Sequence, residues 1–259
     1  MRGWALGAVA LLTILFTLSP MLVLMISAFD DGKFFRFPPK DYSLRWFWAA
    51  IESQEYRSSI WASTVIAGAS TLLSVVLGTA AALGLIRGPF KQRKVLETVL
   101  LAPLTLPLVV WAIALLQVYS WLGLSGSLAG LILAHTTFTL PFSARIMMAS
   151  LATLDPALDE AAKSLGAKPL TAFCKVTLPL ILPGVVSSIA ISFFISFNDV
   201  IVSTFIAGAS WVTYPVRMYS QLRGQGIDPT TLAIGTMVIL SMLLFVGIAE
   251  LFSRRAAGK

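Results

Sequence analysis

Apolar residues run along this chain in long stretches without a charge, and polar residues collect in the segments between them. Runs free of Asp, Glu, Lys and Arg cover residues 3–29, 58–86, 98–144, 176–198, 200–216 and 229–249. A helix needs about 20 mostly apolar residues to cross a bilayer, so the third run is about twice the required length. Glycines and serines near residues 121–127 favour a turn within it. We therefore predict six membrane-spanning helices, at about residues 4–28, 58–86, 98–120, 127–148, 178–206 and 229–251.

The composition agrees with a chain whose solvent is the lipid bilayer. Of the 259 residues, 57% are hydrophobic and 12% are charged, and the mean hydropathy is +0.86. A soluble domain carries about a quarter charged residues. The predicted fold class is therefore an all-α integral membrane protein, with residues 1–259 forming a single transmembrane domain in contact with membrane lipids.

Basic residues mark one side of the membrane. Twelve lie at the termini and in the segments after the second and fourth spans: Arg2, Arg87, Lys91, Arg93, Lys94, Arg145, Lys163, Lys168, Lys175, Arg254, Arg255 and Lys259. The opposite side carries seven, and acidic residues offset them. Because cytoplasmic loops are enriched in Lys and Arg, both termini and the loop 149–177 are predicted to be cytoplasmic. The net charge of +7 reflects this topology, and no basic surface with interleaved aromatic residues indicates nucleic-acid binding.

The loop 149–177 contains the most informative pattern in the chain. Asp155 can cap a helix and Gly166 can end one. Between them, one face carries Leu158, Ala161, Ala162 and Leu165. Asp159 and Lys163 lie on the other face and are spaced for an i,i+4 ion pair. This pattern predicts a shallow amphipathic helix that binds a soluble partner. A helix lying on the inner leaflet is less favoured, because few basic residues lie on the polar face.

The same segment resembles the cytoplasmic signature of the membrane subunits of ATP-binding-cassette importers. That signature reads Glu-Ala-Ala, three residues, Gly, nine residues, Ile, any residue, Leu-Pro, and this chain departs from it only by Val176 in place of Ile. The resemblance implies the type I importer permease fold, with a coupling helix that docks on an ATPase subunit. The residues implied in this coupling are Glu160, Ala161, Ala162, Leu165, Gly166, Leu178 and Pro179.

The residues 196–203, followed by Tyr214-Pro215 and residues 218–220, resemble the spermidine/putrescine-type group of these permeases. Members of that group more often carry two consecutive acids where this chain has Asn198-Asp199. The resemblance implies import of a polyamine or a related cationic or zwitterionic compound. The missing acid weakens the case for a strongly dicationic solute.

The family resemblance also implies a set of partners in a bacterial inner membrane. Two ATPase subunits would bind ATP and Mg²⁺, so that this chain holds no cofactor of its own. A second permease subunit, a paralogue, would complete the pathway, and a periplasmic or surface-tethered binding protein would deliver the solute.

The candidate solute pathway centres on Asp199, an acid within the fifth predicted span. An ionisable group in a span is costly and marks a pathway by default, and its negative charge would favour a cation. Trp211 and Tyr214 could add ring-face attraction for an ammonium group. The weaker candidates are Asn198, Ser203 and Thr204. A structural ion pair of Asp199, for instance with Arg217, is an equally favoured alternative. The lone His135 is interpreted as a packing or helix-bridging residue.

Motifs for catalysis are missing from the sequence. No Gly-x-x-x-x-Gly-Lys phosphate loop, no His-Glu-x-x-His helix and no close pair of carboxylates within a span occurs. The single cysteine excludes an internal disulfide and a cysteine-based metal site, and no metal site is predicted. The chain is therefore predicted to be a non-enzymatic transport subunit. The alternatives are an ATP-independent channel or secondary carrier for a small cation and, less favoured, an enzyme acting on lipid headgroups.

Overall fold

The computed structural model describes residues 2–224 and 226–257, which form helices joined by turns and loops, the longest of which covers residues 28–44. The α-helices are α1 (Arg2–Ser27), α2 (Arg45–Glu52), α3 (Gln54–Arg87), α4 (Arg93–Leu101), α5 (Leu108–Leu122), α6 (Leu128–Ala152), α7 (Ala157–Ser164), α8 (Pro169–Ala172), α9 (Leu178–Phe197), α10 (Ile201–Ile206), α11 (Tyr214–Gly224) and α12 (Pro229–Ala257). Lys259 lies outside the described residues, as do the side chains of Arg2, Arg254 and Arg255 that enter the charge asymmetry.

Among the described residues, four helices are long and apolar enough to cross a membrane. They are Leu6–Ser27, Gln54–Arg87, Pro169–Phe197 and Pro229–Phe252. A fifth span results if Arg93–Leu104 and Leu108–Leu122, which are bent by 99°, cross together. The predicted fourth span corresponds to α6, whose 25 residues include buried His, Thr and Ser side chains that lower its hydropathy. The all-α membrane fold is confirmed, and the predicted count of six spans is approximate.

Two predicted spans are interrupted in the structure, and Pro103 and Pro107 predict a bend in the first of them. The span at 98–120 is broken into α4 and α5 between Pro103 and Pro107, because each proline removes a backbone donor. The span at 178–206 ends at Phe197, and α10 starts separately at Ile201. The carboxylate of Asp199 stabilises this second break, since it binds backbone N–H groups of α10 that a continuous helix would satisfy itself.

α9 begins at Leu178, where the fifth span is predicted to begin, but it continues from α8 without a loop. A π turn, Phe173–Thr177, joins α8 to α9, so that one helical segment runs from Pro169 to Phe197. The π turn widens the helix directly before Pro179, whose ring and missing N–H an unbroken α-helical ladder does not accommodate.

The backbone divides into two compact units, and the single domain of residues 1–259 stays a prediction. The first unit comprises residues 1–58 and 217–242, and the second comprises residues 59–216 and 243–259. In the first unit, the Tyr56 hydroxyl donates to Oε1 of Gln221 at 2.6 Å. Arg217 pairs there with Glu55, with 2.6 Å between Nη1 and Oε2. These contacts tie the start of α3 to α11.

Hydrophobic clusters of buried side chains hold the second unit together. The first cluster joins α3, α5, α6 and α10 through Ala62, Ile66, Ala112, Tyr119, Leu131, Ala134, Phe138, Val202 and Ile206. The second cluster joins α3, α6 and α9 through Ala82, Leu85, Met147, Met148, Leu151 and Ile181. At Gly78, α3 approaches α6 so closely that a Cβ atom would lie 2.9 Å from the backbone N of Ala144. The absence of a side chain at Gly78 thus allows the close packing of α3 and α6.

Candidate coupling and translocation sites

The boundaries of α7 follow from two residues, as the sequence predicted. Oδ1 of Asp155 accepts a hydrogen bond from the Ala157 N–H at 2.9 Å and caps the helix start. Gly166 has a φ of 85°, a backbone conformation in which a side chain is strained. This turn lets the Ala167 N–H donate to the Ala162 carbonyl at 3.0 Å and satisfies the helix end.

The face of α7 that carries the signature is open. Leu165 is 89% exposed and Leu158 is 46% exposed, and the side chains of Glu160 and Ala161 are also exposed. Ala162 is half-buried. A short helix that leaves an apolar face uncovered contributes little to the core of its own chain, so this face is available to a partner.

The last two signature residues lie elsewhere. Leu178 packs against the second hydrophobic cluster, and Pro179 is exposed in the first turn of α9. They lie beyond the π turn rather than on α7. The signature therefore divides into an exposed segment, residues 160–166, and a junction with α9, and the coupling role of these residues stays a prediction.

Asp159 does not form the predicted pair with Lys163. Its carboxylate instead forms an ion pair with Arg87, the last residue of α3. The Thr177 hydroxyl donates to Oδ1 of Asp159 at 2.7 Å, and Arg87 donates to the same hydroxyl at 3.3 Å. The side chains of Arg87 and Asp159 are 27% and 14% exposed. The ion pair between Asp159 and Arg87 is partly shielded from solvent. A solvent-exposed i,i+4 pair of Asp159 with Lys163 would contribute only a few tenths of a kcal/mol to helix stability, so the pair with Arg87 is the more favourable one.

Asp199 is 7% exposed and lies in the break between α9 and α10. Its carboxylate accepts hydrogen bonds from the N–H groups of Val202 at 3.2 Å and Ser203 at 2.7 Å. Nε2 of His135 lies 3.8 Å from Oδ2. Arg217, the partner suggested from the sequence, pairs with Glu55. The carboxylate therefore caps α10 and lies beside a histidine.

The predicted helix-bridging role of His135 is confirmed. The ring is fully buried, with Nδ1 2.7 Å from the Ser196 hydroxyl and Nε2 3.1 Å from the Ser203 hydroxyl. The Ser196 hydroxyl lies 3.0 Å from that of Ser70 on α3. These four side chains link α3, α6, α9 and α10. Sequence reasoning missed Ser70 and Ser196, although Ser188, Ser192 and Ser196 recur at helical spacing on α9.

A cavity of about 450 Å³ lies where the two helix breaks of the second unit meet. Its lining includes Pro103 and Leu106 from the first break, Asn198 and Asp199 from the second, and Phe138 and Phe142 from α6. The volume suits a small organic molecule, and pockets of this kind combine apolar walls with a few polar groups. Asn198 is exposed there, whereas Asp199 is mostly covered.

The other pathway candidates lie outside the lining of this cavity. Ser203 is buried against His135, and the Thr204 hydroxyl donates to the Val200 carbonyl at 2.6 Å. Trp211 packs against the first hydrophobic cluster, and the Tyr214 N–H donates to the Ser63 hydroxyl at 2.9 Å. Of the six predicted pathway residues, the structure therefore brings Asn198 and Asp199 together at the cavity.

A helical membrane fold with broken spans, a cavity at the breaks and an exposed short helix fits a transport subunit. The family model for the binding-protein-dependent transport system inner membrane component matches residues 74–258. The chain belongs to this family, and it is a multi-pass membrane protein. The resemblance found in the signature of α7 is confirmed by this match.

Curated relatives agree with this membership, and a solved structure shares the fold. The chain is 31% identical to the spermidine/putrescine transport system permease protein PotC of Haemophilus influenzae, over 91% of each chain. It is 30% identical to the putrescine transport system permease protein PotI of Escherichia coli K12, over 89% of this chain and 84% of that one. Its fold is similar to a chain in a bacterial alginate ABC transporter bound to an alginate pentasaccharide-loaded periplasmic protein. That match has a TM-score of 0.67 and 19% identity, and covers 99% of this chain and 96% of the other.

Proposed function

We propose that this chain is the transmembrane subunit of an ATP-driven importer for a small organic cation of the polyamine class. The observation that carries the proposal is the capped helix α7, which holds the importer signature and leaves Leu165 89% exposed. An uncovered apolar face in this position fits a docking contact with an ATPase. The substrates named for PotC and PotI support a polyamine as the solute.

The partners follow from the same proposal. Two ATPase subunits would bind ATP and Mg²⁺ and move α7, while a second permease subunit, a paralogue, would form the other half of the pathway. A periplasmic or surface binding protein would deliver the solute from outside. The periplasmic protein bound to the alginate transporter supports this kind of partner. Both termini and α7 would face the cytoplasm, which the distribution of Lys and Arg supports.

The cavity at the two helix breaks would form part of the solute pathway. Asp199 would supply negative charge, and the exposed amide of Asn198 would offer hydrogen bonds to an amine. Ser203, Thr204, Trp211 and Tyr214 would contribute only if the pathway extends beyond the cavity lining. The apolar walls match the methylene groups of a polyamine, since burial of each CH₂ contributes about 0.8 kcal/mol.

Co-purification and uptake test this function. The tagged chain is co-expressed with the ATPase, permease and binding-protein genes of its own genome, and the purified assembly is reconstituted in liposomes. We expect a stoichiometric ATPase and accumulation of radiolabelled putrescine or spermidine only when ATP is present. If the tagged chain purifies without an ATPase and an ion gradient drives putrescine uptake, the protein is instead a channel or secondary carrier.

Asp199→Asn is expected to reduce putrescine uptake about tenfold in this assembly. Asn is a good helix-capping residue, so α10 keeps its start, but its one acceptor oxygen replaces two and the change removes the charge together with one of the two capping hydrogen bonds. A tenfold effect corresponds to about 1.4 kcal/mol, the size of one weakly screened charge contact. The readout is the initial rate of putrescine uptake at fixed ATPase content.

The companion variant is Asn198→Asp, which places a second acid at the cavity. We expect it to lower the KM for putrescine, since it restores the pair of acids more common in the polyamine group. Equal uptake by the parent and Asp199→Asn would return Asp199 to a purely structural role in capping α10.

A further inference from the structure

Three side chains on three separate elements meet at the base of α7. Arg87 ends α3, Asp159 lies in the first turn of α7, and Thr177 ends the π turn before α9. Asp159 binds Arg87 as an ion pair and accepts the Thr177 hydroxyl at 2.7 Å, while Arg87 donates to that hydroxyl at 3.3 Å. Each member thus contacts the other two, and Thr177 is fully buried.

We infer that Arg87, Asp159 and Thr177 form a joint that transmits the movement of α7 to α3 and to α9. This inference rests on the proposed function, because it assumes that an ATPase moves α7. Within the second unit, α3 and α9 are already packed together by the second hydrophobic cluster. The joint attaches α7 to both helices at once, so a displacement of α7 reaches the packed pair.

On α7, the residue that anchors the helix to the rest of the chain differs from the residues that are proposed to bind the ATPase. Asp159 directs one carboxylate oxygen to α3 and the other to the start of α9. The next residue, Glu160, is exposed on a different side of the helix. Charge-assisted hydrogen bonds are about twice as strong as neutral ones, which suits a contact that must carry displacement.

The route from the joint leads to the cavity. Thr177 is followed by α9, which continues without interruption to Phe197 and the break that holds Asp199. A π turn at the start of such a helix is a frequent feature of functional sites. Movement of α7 would therefore shift the far end of α9, where Asn198 and Asp199 line the cavity.

Hydrogen exchange on the full chain in lipid nanodiscs tests the attachment, and this test needs neither the ATPase nor the solute. Arg87→Gln and Asp159→Asn are expected to speed amide exchange in residues 157–166 at least tenfold. Exchange in α3 and α9 should stay unchanged. Thr177→Val, which removes only the hydroxyl, should give a smaller increase. The matched control is Asp155→Asn, which removes an exposed acid next to the same helix but keeps its cap.

Uptake per ATP hydrolysed tests the transmission in the reconstituted importer. Asp159→Asn and Arg87→Gln should retain the bound ATPase and its hydrolysis, but import at least tenfold less putrescine per ATP. The charge-swapped double variant Arg87→Asp with Asp159→Arg should recover part of the loss. A role limited to fold stability would lower assembly and hydrolysis together and would leave this ratio unchanged.

The outcomes separate the joint from the proposed function. Unchanged exchange in α7, or faster exchange with an unchanged ratio of putrescine to ATP, overturns the joint. If the parent chain recovers no ATPase, the proposed function fails, and the exchange experiment still decides whether these residues anchor α7.

Discussion

Leu165→Glu is expected to lower ATP-driven uptake about 100-fold without changing the stability of the isolated chain. The side chain is 89% exposed, so its own fold gains almost nothing from it. In the proposed complex it would enter an apolar part of the ATPase surface, where an unpaired carboxylate costs several kcal/mol. Since each 1.4 kcal/mol is tenfold in affinity, a loss of about 3 kcal/mol would remove the ATPase at micromolar concentration.

The measurements are thermal unfolding of the purified chain and the amount of ATPase that co-purifies. Leu170→Glu is the matched control, because Leu170 is 73% exposed on α8, outside the helix α7 that is proposed to dock. We expect the control to retain the ATPase and to keep uptake within about twofold to threefold of the parent. Equal losses in the two variants would indicate a general effect of charge on this surface and would contradict the docking role of Leu165.

The boundaries of α7 were accessible from sequence because they depend on neighbouring residues. A cap at Asp155 and a positive φ at Gly166 are local requirements that few residue types satisfy. Four of the charge-free runs correspond to helices that are long and apolar enough to cross a membrane, since crossing a bilayer demands length and apolarity within one segment.

The breaks within spans were less accessible, because apolarity continues across them. Residues 197–201 contain one acid in an otherwise uncharged stretch, and composition alone does not distinguish a buried charge in a continuous helix from a helix cap. The structure resolves this at Asp199, whose carboxylate binds two N–H groups of the following helix. Similarly, Pro103 and Pro107 predicted a bend, but its 99° angle depends on tertiary packing.

The hydrogen-bond and ion-pair partners of polar side chains could not be predicted from a single sequence. Asp159 has a local candidate in Lys163, yet it pairs with Arg87, which is distant in the chain. Serines at helical spacing are common at helix interfaces, and their spacing does not indicate that a histidine is their partner. The role of His135 was predicted as helix bridging, but which helices it bridges followed only from the assembled fold.

His135→Leu is expected to destabilise the chain by about 2–3 kcal/mol. The ring connects α6 to α9 and α10, with nitrogen–hydroxyl distances of 2.7 Å to Ser196 and 3.1 Å to Ser203. Each interhelical hydrogen bond within a membrane protein contributes about 1 kcal/mol, and a stranded buried hydroxyl adds its desolvation cost. Reversible unfolding in mixed micelles, followed by circular dichroism, measures the change.

The triple variant His135→Leu, Ser196→Ala, Ser203→Ala separates hydrogen bonding from packing. When both partners of a buried hydrogen bond become apolar, the loss is often small, so we expect this variant to regain at least about 1 kcal/mol relative to His135→Leu. If the serine changes instead add their own full cost, the network is not a set of coupled bonds, and the ring acts mainly as a volume filler. Recovery would mean that His135 stabilises the fold through its hydrogen bonds to Ser196 and Ser203, which lie on either side of the break that holds Asp199.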